Sequence, residues 1–240
     1  PPPPPPPPFF FHAEPAIRDF CLSRGLGDVY KRQVNKGAKN LVLDLRFNGG
    51  GYLYQAINVV DEFLNKNQLI VYTEGAHSQK RSFYATNQGL FKDGKLIILV
   101  NSSTASASEI VSGAIQDNKR GKILGRRTFG KGLVQQPLIL PDSSELRITT
   151  SRYYTPSGKC IQKPYGDSIN YENDLFDRIE SGELTNNDSM LDQSKFKGGI
   201  IPDIYSPIDL SLIHISEPTR QAEMWDAVFC VEKKGGGGGG

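Results

Sequence analysis

The decapeptide NSSTASASEI, at residues 101–110, contains five hydroxyl side chains and ends in a glutamate and an isoleucine. A serine can act as a nucleophile in acyl transfer, but serine and threonine are also frequent in loops and at helix starts for structural reasons. Ser106 and Glu109 have the spacing of a capping box, in which the hydroxyl satisfies a helix-start amide. Taken alone, the decapeptide favours a helix cap over a nucleophile.

The residues around Ser106 nevertheless have the order that nucleophilic catalysis needs. The apolar run KLIILV, at 95–100, predicts a strand that leads through a turn into a helix, as at a nucleophile elbow. Amides at the start of such a helix point outward and can stabilise an oxyanion. Because a serine hydroxyl is a weak nucleophile at neutral pH, a catalytic Ser106 also requires a base.

Two residues are candidates for that base. His77 is the only histidine within residues 34–209, and its polar surroundings, TEGAHSQK, are more typical of an exposed loop. A lysine can replace histidine when burial lowers the lysine pKa towards neutrality. Lys131 lies between Gly130 and Gly132, where the backbone can turn and direct one side chain inward, although most lysines in such turns are solvated.

The same lysine belongs to a second motif. GRRTFGK, at 125–131, matches the first seven positions of a phosphate-binding loop. The eighth position requires serine or threonine for magnesium but is Gly132, and LVQQPLIL, which follows, predicts a strand instead of the required helix. We therefore reject a phosphate-binding loop. Separately, we expect neither a cofactor nor a metal.

Strands and helices in alternation should position these residues. Strands are predicted for LVLDL (41–45), LIVYTE (69–74), KLIILV (95–100) and KILG (122–125), and helices for 53–64 and 107–115, where apolar residues recur at helical spacing. Such alternation is typical of an α/β fold with a parallel sheet. GLVQQPLIL and SELRITTSRYY flank 141–143 and predict an antiparallel hairpin. Residues 164–196 are polar and poor in large apolar residues, which predicts a surface excursion.

The two ends of the chain look like translated foreign DNA. The chain begins PPPPPPPPFFF and ends KKGGGGGG. Translation of a DNA fragment that carries homopolymer runs at both borders would give ends of this kind. We interpret residues 1–33 and 210–240 as non-native, adapter-like segments and expect both to be disordered. The alternative is a polyproline II arm with a flexible glycine tail. The remaining residues, 34–209, are about as many as a single domain contains.

Composition excludes several classes of function. Lysine and arginine total 28 against 26 acidic residues, and no long basic run occurs, so nucleic acid is not an indicated partner. No apolar stretch reaches the roughly 20 residues of a transmembrane helix. Cys160 is the only cysteine within 34–209, which predicts neither a disulfide framework nor a cysteine-based metal site.

Residues 41–163 closely resemble the catalytic core of the carboxy-terminal processing peptidases, also called tail-specific proteases. The resemblance is carried by LDLRFNGGG (43–51), STASASEIVSGAIQD (103–117), GRRTFGKGLVQQ (125–136), RITTSRYYTPSGKCIQ (147–162) and GGIIPD (198–203). It implies a crotonase-like α/β protease core, with a parallel sheet plus an antiparallel hairpin, truncated on its N-terminal side. It also implies a serine-lysine endopeptidase without a cofactor.

The resemblance implies roles for three side chains. The family's nucleophile falls on Ser106, its general base on Lys131, and the glutamine that orients the lysine amine on Gln135. We expect the Lys131 amine to lie near the Ser106 hydroxyl and to be substantially buried, with Gln135 reaching the same amine. With this resemblance the interpretation of Ser106 changes from helix cap to nucleophile.

Supporting residues follow from the same resemblance. The oxyanion hole falls on the amide of Ala107 and on a glycine of the loop 49–51, which we assign to Gly50. The family has proline where this chain has Gly49, a change that loosens the loop but leaves its amides. Asp117 matches an acidic residue that lies close to the dyad in some members.

The implied function is cleavage of polypeptides near apolar carboxyl termini in an extracytoplasmic compartment, the periplasm or cell envelope. Members of the family carry a PDZ domain before the core, which captures the substrate's terminal carboxylate. We expect this chain to be a fragment without that domain. The alternative function is that of a non-catalytic member of the fold that binds lipophilic ligands or peptides; the set Ser106, Lys131 and Gln135 favours the enzyme.

Overall fold

The structure is a computed structural model and describes residues 9–12, 37–86, 88–142, 144–164, 174–184 and 198–206. The elements in these ranges are β1 (Phe9–His12), β2 (Asn40–Asp44), α1 (Leu53–Asp61), β3 (Leu69–Gly75), β4 (Ser78–Tyr84), β5 (Lys95–Val100), α2 (Ala107–Asp117), β6 (Lys122–Gly125), β7 (Leu133–Ile139), β8 (Glu145–Tyr154), α3 (Asp174–Glu180) and β9 (Ile204–Tyr205). None of these three helices is long and apolar enough to cross a membrane.

The first sheet is parallel throughout, in the order β1-β2-β5-β6-β9. Its central strands are short apolar runs, as expected for strands covered on both faces. Parallel neighbours need a crossover connection, and α2 supplies the one between β5 and β6. The predicted α/β fold with a parallel sheet is confirmed.

Helix α2 lies inside the core instead of on its surface. All residues from Ala107 to Ile115 are buried, and α2 packs against α1 and β6. Fully or almost fully buried side chains in this core include Val60, Leu64, Ile98, Ile110, Ile115 and Ile123. A helix covered on all sides has a fixed position, so the residue that precedes its first turn, Ser106, is fixed as well.

The second sheet is antiparallel, in the order β4-β3-β8-β7. The predicted hairpin is confirmed, because β7 and β8 pair on either side of residues 141–143. The placement of LIVYTE among the parallel strands is wrong, since β3 pairs antiparallel with β4 and β8. Strand β4 was not predicted because most of its side chains are exposed and polar, which leaves no hydrophobic alternation to detect.

Residues 9–12 differ from the disorder expected for 1–33. They form β1, an edge strand that pairs in parallel with β2, from Phe9 opposite Leu41 to His12 opposite Asp44. Aromatic residues have a high strand propensity, and the free edge of β2 offers unpaired backbone groups. The rest of 1–33, and all of 210–240, lie outside the described residues.

Residues 174–184 belong to the stretch that we predicted to be a surface excursion. The prediction is wrong here, because Arg178 and Glu183 are only 3% exposed and Leu184 is completely buried. Charged side chains are tolerated at such depth when they are paired, and Glu183 forms an ion pair with the equally buried Arg127 at 2.7 Å. Composition cannot reveal this, because the partner lies far away in the sequence.

Candidate active site

Three loops meet at the carboxyl edge of the parallel sheet. The glycine loop (46–51) follows β2, the serine loop (101–106) follows β5, and the lysine loop (126–131) follows β6. These three strands are direct neighbours. Because the carboxyl ends of parallel strands lie at one edge, the three loops lie side by side at the edge where α/β proteins usually bind ligands.

Buried hydrogen bonds join the glycine loop to the serine loop. The Ala105 N–H donates to the Asn48 carbonyl at 3.0 Å, and the Ser108 hydroxyl donates to the Asn48 side-chain oxygen at 2.9 Å. From the other loop, the Asn101 side-chain oxygen accepts from the Phe47 N–H at 3.0 Å. Both asparagines are buried. The separation of the two loops is therefore set by side chains that water does not reach.

Ser106 has a strained backbone. Its φ of 57° and ψ of −117° are angles that residues other than glycine rarely adopt. Ordinary N-cap residues have extended angles instead. Strain of this kind, on the order of 1–3 kcal/mol, persists only where the surroundings enforce it, and it clusters at active sites. Ser106 thus has a strained conformation at the end of the loop that connects β5 to α2, a feature that it shares with the serine of a nucleophile elbow.

Gly50, which we predicted to contribute to an oxyanion hole, lies directly against Ser106. Its φ is +88°, and a Cβ at this position would be 2.6 Å from the Ala107 nitrogen and 2.9 Å from the Ser106 Cβ. However, the Gly50 N–H already donates to the Asn48 side-chain oxygen at 2.9 Å. The Ala107 N–H has no acceptor among the described residues, so it is the donor immediately available to an oxyanion.

We expect Gly50→Ala to destabilise the chain by more than about 2 kcal/mol and to remove any activity of Ser106, because the new methyl group meets backbone atoms at a positive φ. Gly49→Ala is the matched control, since a Cβ there has no atom within 4 Å. Its free energy of unfolding should change by no more than about 0.5 kcal/mol. Urea unfolding of both variants measures the difference, and equal effects would contradict the close approach of Gly50.

The lysine loop meets the serine loop at one carboxylate. The N–H groups of Ser106 and Lys131 both donate to Oε2 of Glu109, each at 2.8 Å. The two backbone nitrogens can therefore be no further apart than twice that distance. In addition, the Phe129 N–H donates to the Thr104 carbonyl at 2.9 Å. The backbones of the predicted nucleophile and base are thus adjacent.

The side chain of Lys131 does not match the prediction of a buried amine. It is exposed, and within the described part of the chain no hydrogen bond joins its amine to the Ser106 hydroxyl or to Gln135. The Lys131 N–H is directed inward to Glu109, which is distant in the sequence, and the flanking Gly130 and Gly132 have no side chains that could cover the lysine.

Gln135 lies on β7 and is also exposed. The pairing of β7 with β8 shifts register between Val134 and Gln135. Such bulges change the direction of a side chain and are frequent beside active sites. Gln135 therefore lies four residues after Lys131, and no hydrogen bond joins the two side chains in the part of the chain that the structure describes.

Asp117 is not close to the other predicted residues. It is the last residue of α2, an eleven-residue helix that begins directly after Ser106, and the helical rise separates the two by about 16 Å. Its carboxylate accepts from the Ser157 N–H at 2.9 Å and so caps a turn after β8. The expectation that Asp117 supports the dyad is wrong for this chain.

His77 lies outside these three loops, in the connection between β3 and β4 of the antiparallel sheet. It is exposed, as expected for a loop histidine. It is therefore a poor candidate for a base that acts on Ser106.

Glu109 has a structural role that we did not predict in full. Its carboxylate is completely buried and accepts four hydrogen bonds, from the N–H groups of Ser106, Gly130 and Lys131 and from the Thr128 hydroxyl. Burial raises the pKa of the Glu109 carboxyl above its ordinary value, although the four hydrogen bonds act in the opposite direction. The capping-box spacing indicated only the bond to Ser106, because the other three donors lie in the lysine loop, which is distant in the sequence.

Known proteins match this chain over the region of the site. The model of peptidase family S41 matches residues 17–169, beginning within the range that we interpreted as foreign. A carboxy-terminal-processing protease of Bartonella bacilliformis is 45% identical over 142 residues, which are 59% of this chain and 32% of that protein. The chloroplastic C-terminal processing peptidase of Tetradesmus obliquus is 40% identical over 128 residues, which are 53% of this chain and 27% of that protein.

A solved structure shows the same fold. The photosystem II D1 C-terminal processing protease superposes with a TM-score of 0.60 at 28% identity, over 79% of this chain and 40% of that one. The matched part of this chain spans 32% and 27% of the length of the two curated relatives.

Proposed function

The chain belongs to peptidase family S41, and from this premise we propose that it is the catalytic part of a serine endopeptidase that cleaves polypeptides near their carboxyl termini. The observation that carries the proposal is the strained backbone of Ser106, at a strand-to-helix turn and in contact with Gly50. A serine that only caps a helix adopts extended backbone angles, which are not strained. The cleavage position is suggested by the names of the relatives.

In the proposed mechanism, Ser106 Oγ attacks the scissile carbonyl carbon while its proton passes to the uncharged amine of Lys131. The oxyanion that forms accepts from the Ala107 N–H and from a second donor in the glycine loop, which we assign to Gly50. This assignment requires the Gly50 N–H to leave, or to share, its bond with Asn48. The lysine then returns the proton to the departing amine, which leaves an ester on Ser106, and a water activated by the same amine hydrolyses that ester.

The mechanism requires the Lys131 side chain to turn inward when substrate binds. Its backbone is already held beside that of Ser106 by Glu109. Catalytic hydrogen bonds are often missing until substrate is present. A polypeptide bound across the three loops would exclude water, and water exclusion favours the uncharged form of a lysine amine. In the closed site, Gln135 accepts a hydrogen bond from the amine and orients it.

We extend the proposal to substrates and compartment. The substrates are polypeptides with apolar carboxyl termini, and the compartment is the periplasm or cell envelope. Support comes from the family resemblance and from relatives whose names state carboxyl-terminal processing.

A fluorophosphonate probe, which reacts with activated serines, tests the proposal. We expect Ser106 to be labelled and Ser106→Ala to lose the label, with the modified residue identified by mass spectrometry. Ser103→Ala is the matched control, because Ser103 belongs to the same loop and is partly buried like Ser106. A folded chain that binds apolar ligands but is never labelled would support the non-catalytic alternative instead.

We expect His77→Ala to change the labelling rate and peptide cleavage by less than about twofold, since exposed residues outside a site rarely affect it. The measurement is the second-order rate constant of probe labelling in the wild-type chain and the variant. A loss comparable to that of Ser106→Ala would instead indicate a serine-histidine mechanism.

A further inference from the structure

The lysine loop is held from two sides by opposite charges. On the inner side, its N–H groups at Gly130 and Lys131 donate to the Glu109 carboxylate. On the other side, the Arg178 guanidinium donates to the carbonyls of Arg127 and Thr128, both at 3.1 Å, and to that of Phe129 at 3.4 Å. An anion thus binds the donors of the loop, and a cation binds the acceptors of three consecutive residues.

Arg178 is itself held by a buried ionic cluster. Two parallel hydrogen bonds link the Arg127 guanidinium to Glu183, from Nε at 2.7 Å and from Nη2 at 2.8 Å. Arg178 Nη1 lies 3.9 Å from the same carboxylate. The three side chains are between 3% and 7% exposed. Bidentate arginine–carboxylate pairs are geometrically specific as well as strong, so the pair fixes Glu183 against the lysine loop, and Arg178 lies on the same segment as Glu183.

The segment that carries Arg178 and Glu183 is anchored to the domain independently of the loop. Leu184 is completely buried, and the Tyr205 hydroxyl of β9 donates to the Glu183 carbonyl. The segment 174–184 is therefore connected both to the edge of the parallel sheet and to the lysine loop.

We propose that the segment 174–184 is a positioning element of the active site, in which Arg178 and Glu183 hold the backbone of the lysine loop and thereby place Lys131 beside Ser106. This inference rests on the proposed function, because it assigns a role relative to the serine-lysine chemistry. Loops are normally among the more mobile parts of a protein, and small displacements of a catalytic group cost large factors in rate. Arg178 and Glu183 touch no reacting atom, so they act only through the loop.

The test compares three variants of the whole chain. Arg178→Lys keeps the charge, but a single ammonium cannot reproduce the planar fork that reaches three carbonyls. Glu183→Gln keeps the shape of the side chain but removes its charge, which weakens the two hydrogen bonds from Arg127. Glu180→Gln is the matched control, since it makes the same change at an exposed position of the same segment. We expect the rate of fluorophosphonate labelling at Ser106 to fall at least tenfold in the first two variants and to stay within twofold in the third.

Steady-state cleavage of a peptide with an apolar carboxyl terminus separates positioning from general damage. We expect kcat to fall and KM to stay within about twofold in Arg178→Lys, because the base is displaced while the peptide still binds. Introducing Lys131→Ala into Arg178→Lys should reduce kcat no further than Lys131→Ala alone. Additive losses in the double variant would overturn the proposal.

A chemical rescue covers the case in which a variant folds poorly. Arg178→Ala leaves a buried space shaped for a guanidinium, and millimolar methylguanidine should restore labelling at least fivefold in that variant and not in Lys131→Ala. The absence of rescue in folded Arg178→Ala would overturn the proposal.

If the wild-type chain is labelled at Ser106 and Arg178→Lys is labelled equally fast, the positioning role alone fails. If the wild-type chain is not labelled, the proposed function fails as well.

Discussion

Ser106→Ala and Lys131→Ala should each abolish peptide cleavage, with a loss in kcat of about 10⁴-fold or more, and the double variant should be no less active than either single one. The serine hydroxyl cannot attack without a base, and the base has no function without the nucleophile, so the two side chains act as one unit. The measurement is cleavage of a peptide with an apolar carboxyl terminus, together with probe labelling of Ser106.

Lys131→Ala also separates catalysis from stability. Because the Lys131 side chain is exposed, its removal should change the free energy of unfolding by no more than about 0.5 kcal/mol. Lys131→His should not restore cleavage, since an imidazole is shorter than a lysine side chain and differently shaped. Full activity in Lys131→Ala, combined with its loss in His77→Ala, would contradict the serine-lysine mechanism.

Glu109→Gln should reduce stability and activity together, although the change is isosteric. Each carboxylate oxygen of Glu109 accepts two hydrogen bonds, Oε1 from Thr128 and Gly130, and Oε2 from Ser106 and Lys131. An amide would turn one NH₂ group towards two donors. The Thr128 hydroxyl can rotate to accept, but the backbone N–H beside it cannot, so one buried donor remains unsatisfied.

The expected cost is about 1–3 kcal/mol for a single unsatisfied buried donor. Probe labelling of the folded variant should fall by roughly 10²-fold, because the serine and lysine loops lose their common anchor. Glu145→Gln is the control, since Glu145 is exposed and its ion pair with Arg147 contributes little. Unchanged labelling in Glu109→Gln would show that the loops keep their positions without the carboxylate.

The pH dependence of stability gives an independent check on Glu109. Burial raises the folded-state pKa of its carboxyl above the unfolded value. Between these two pKa values the folded chain binds more protons than the unfolded one, so the contribution of Glu109 to stability falls as pH rises through that interval. Urea unfolding across pH should show this fall in the wild-type chain and a smaller one in Glu109→Gln.

The amino-acid sequence by itself determined the features that depend on neighbouring residues. The strand before Ser106, the helix after it and the β7–β8 hairpin follow from apolar periodicity and turn residues that lie within a few positions of one another. The family resemblance and its motifs are likewise read along the chain. The capping-box spacing predicted the hydrogen bond between Glu109 and the Ser106 N–H for the same reason.

Only the tertiary structure decided which distant segments meet. The other three donors to Glu109, the distance of Asp117 from the site and the contact of Arg178 with the lysine loop all depend on how β5, β6 and the segment 174–184 pack. The exposure of Lys131 has the same origin, because the direction of its side chain follows from where its backbone N–H finds an acceptor. A hydrogen bond between remote residues depends on strand order and packing, and local periodicity carries no information about either.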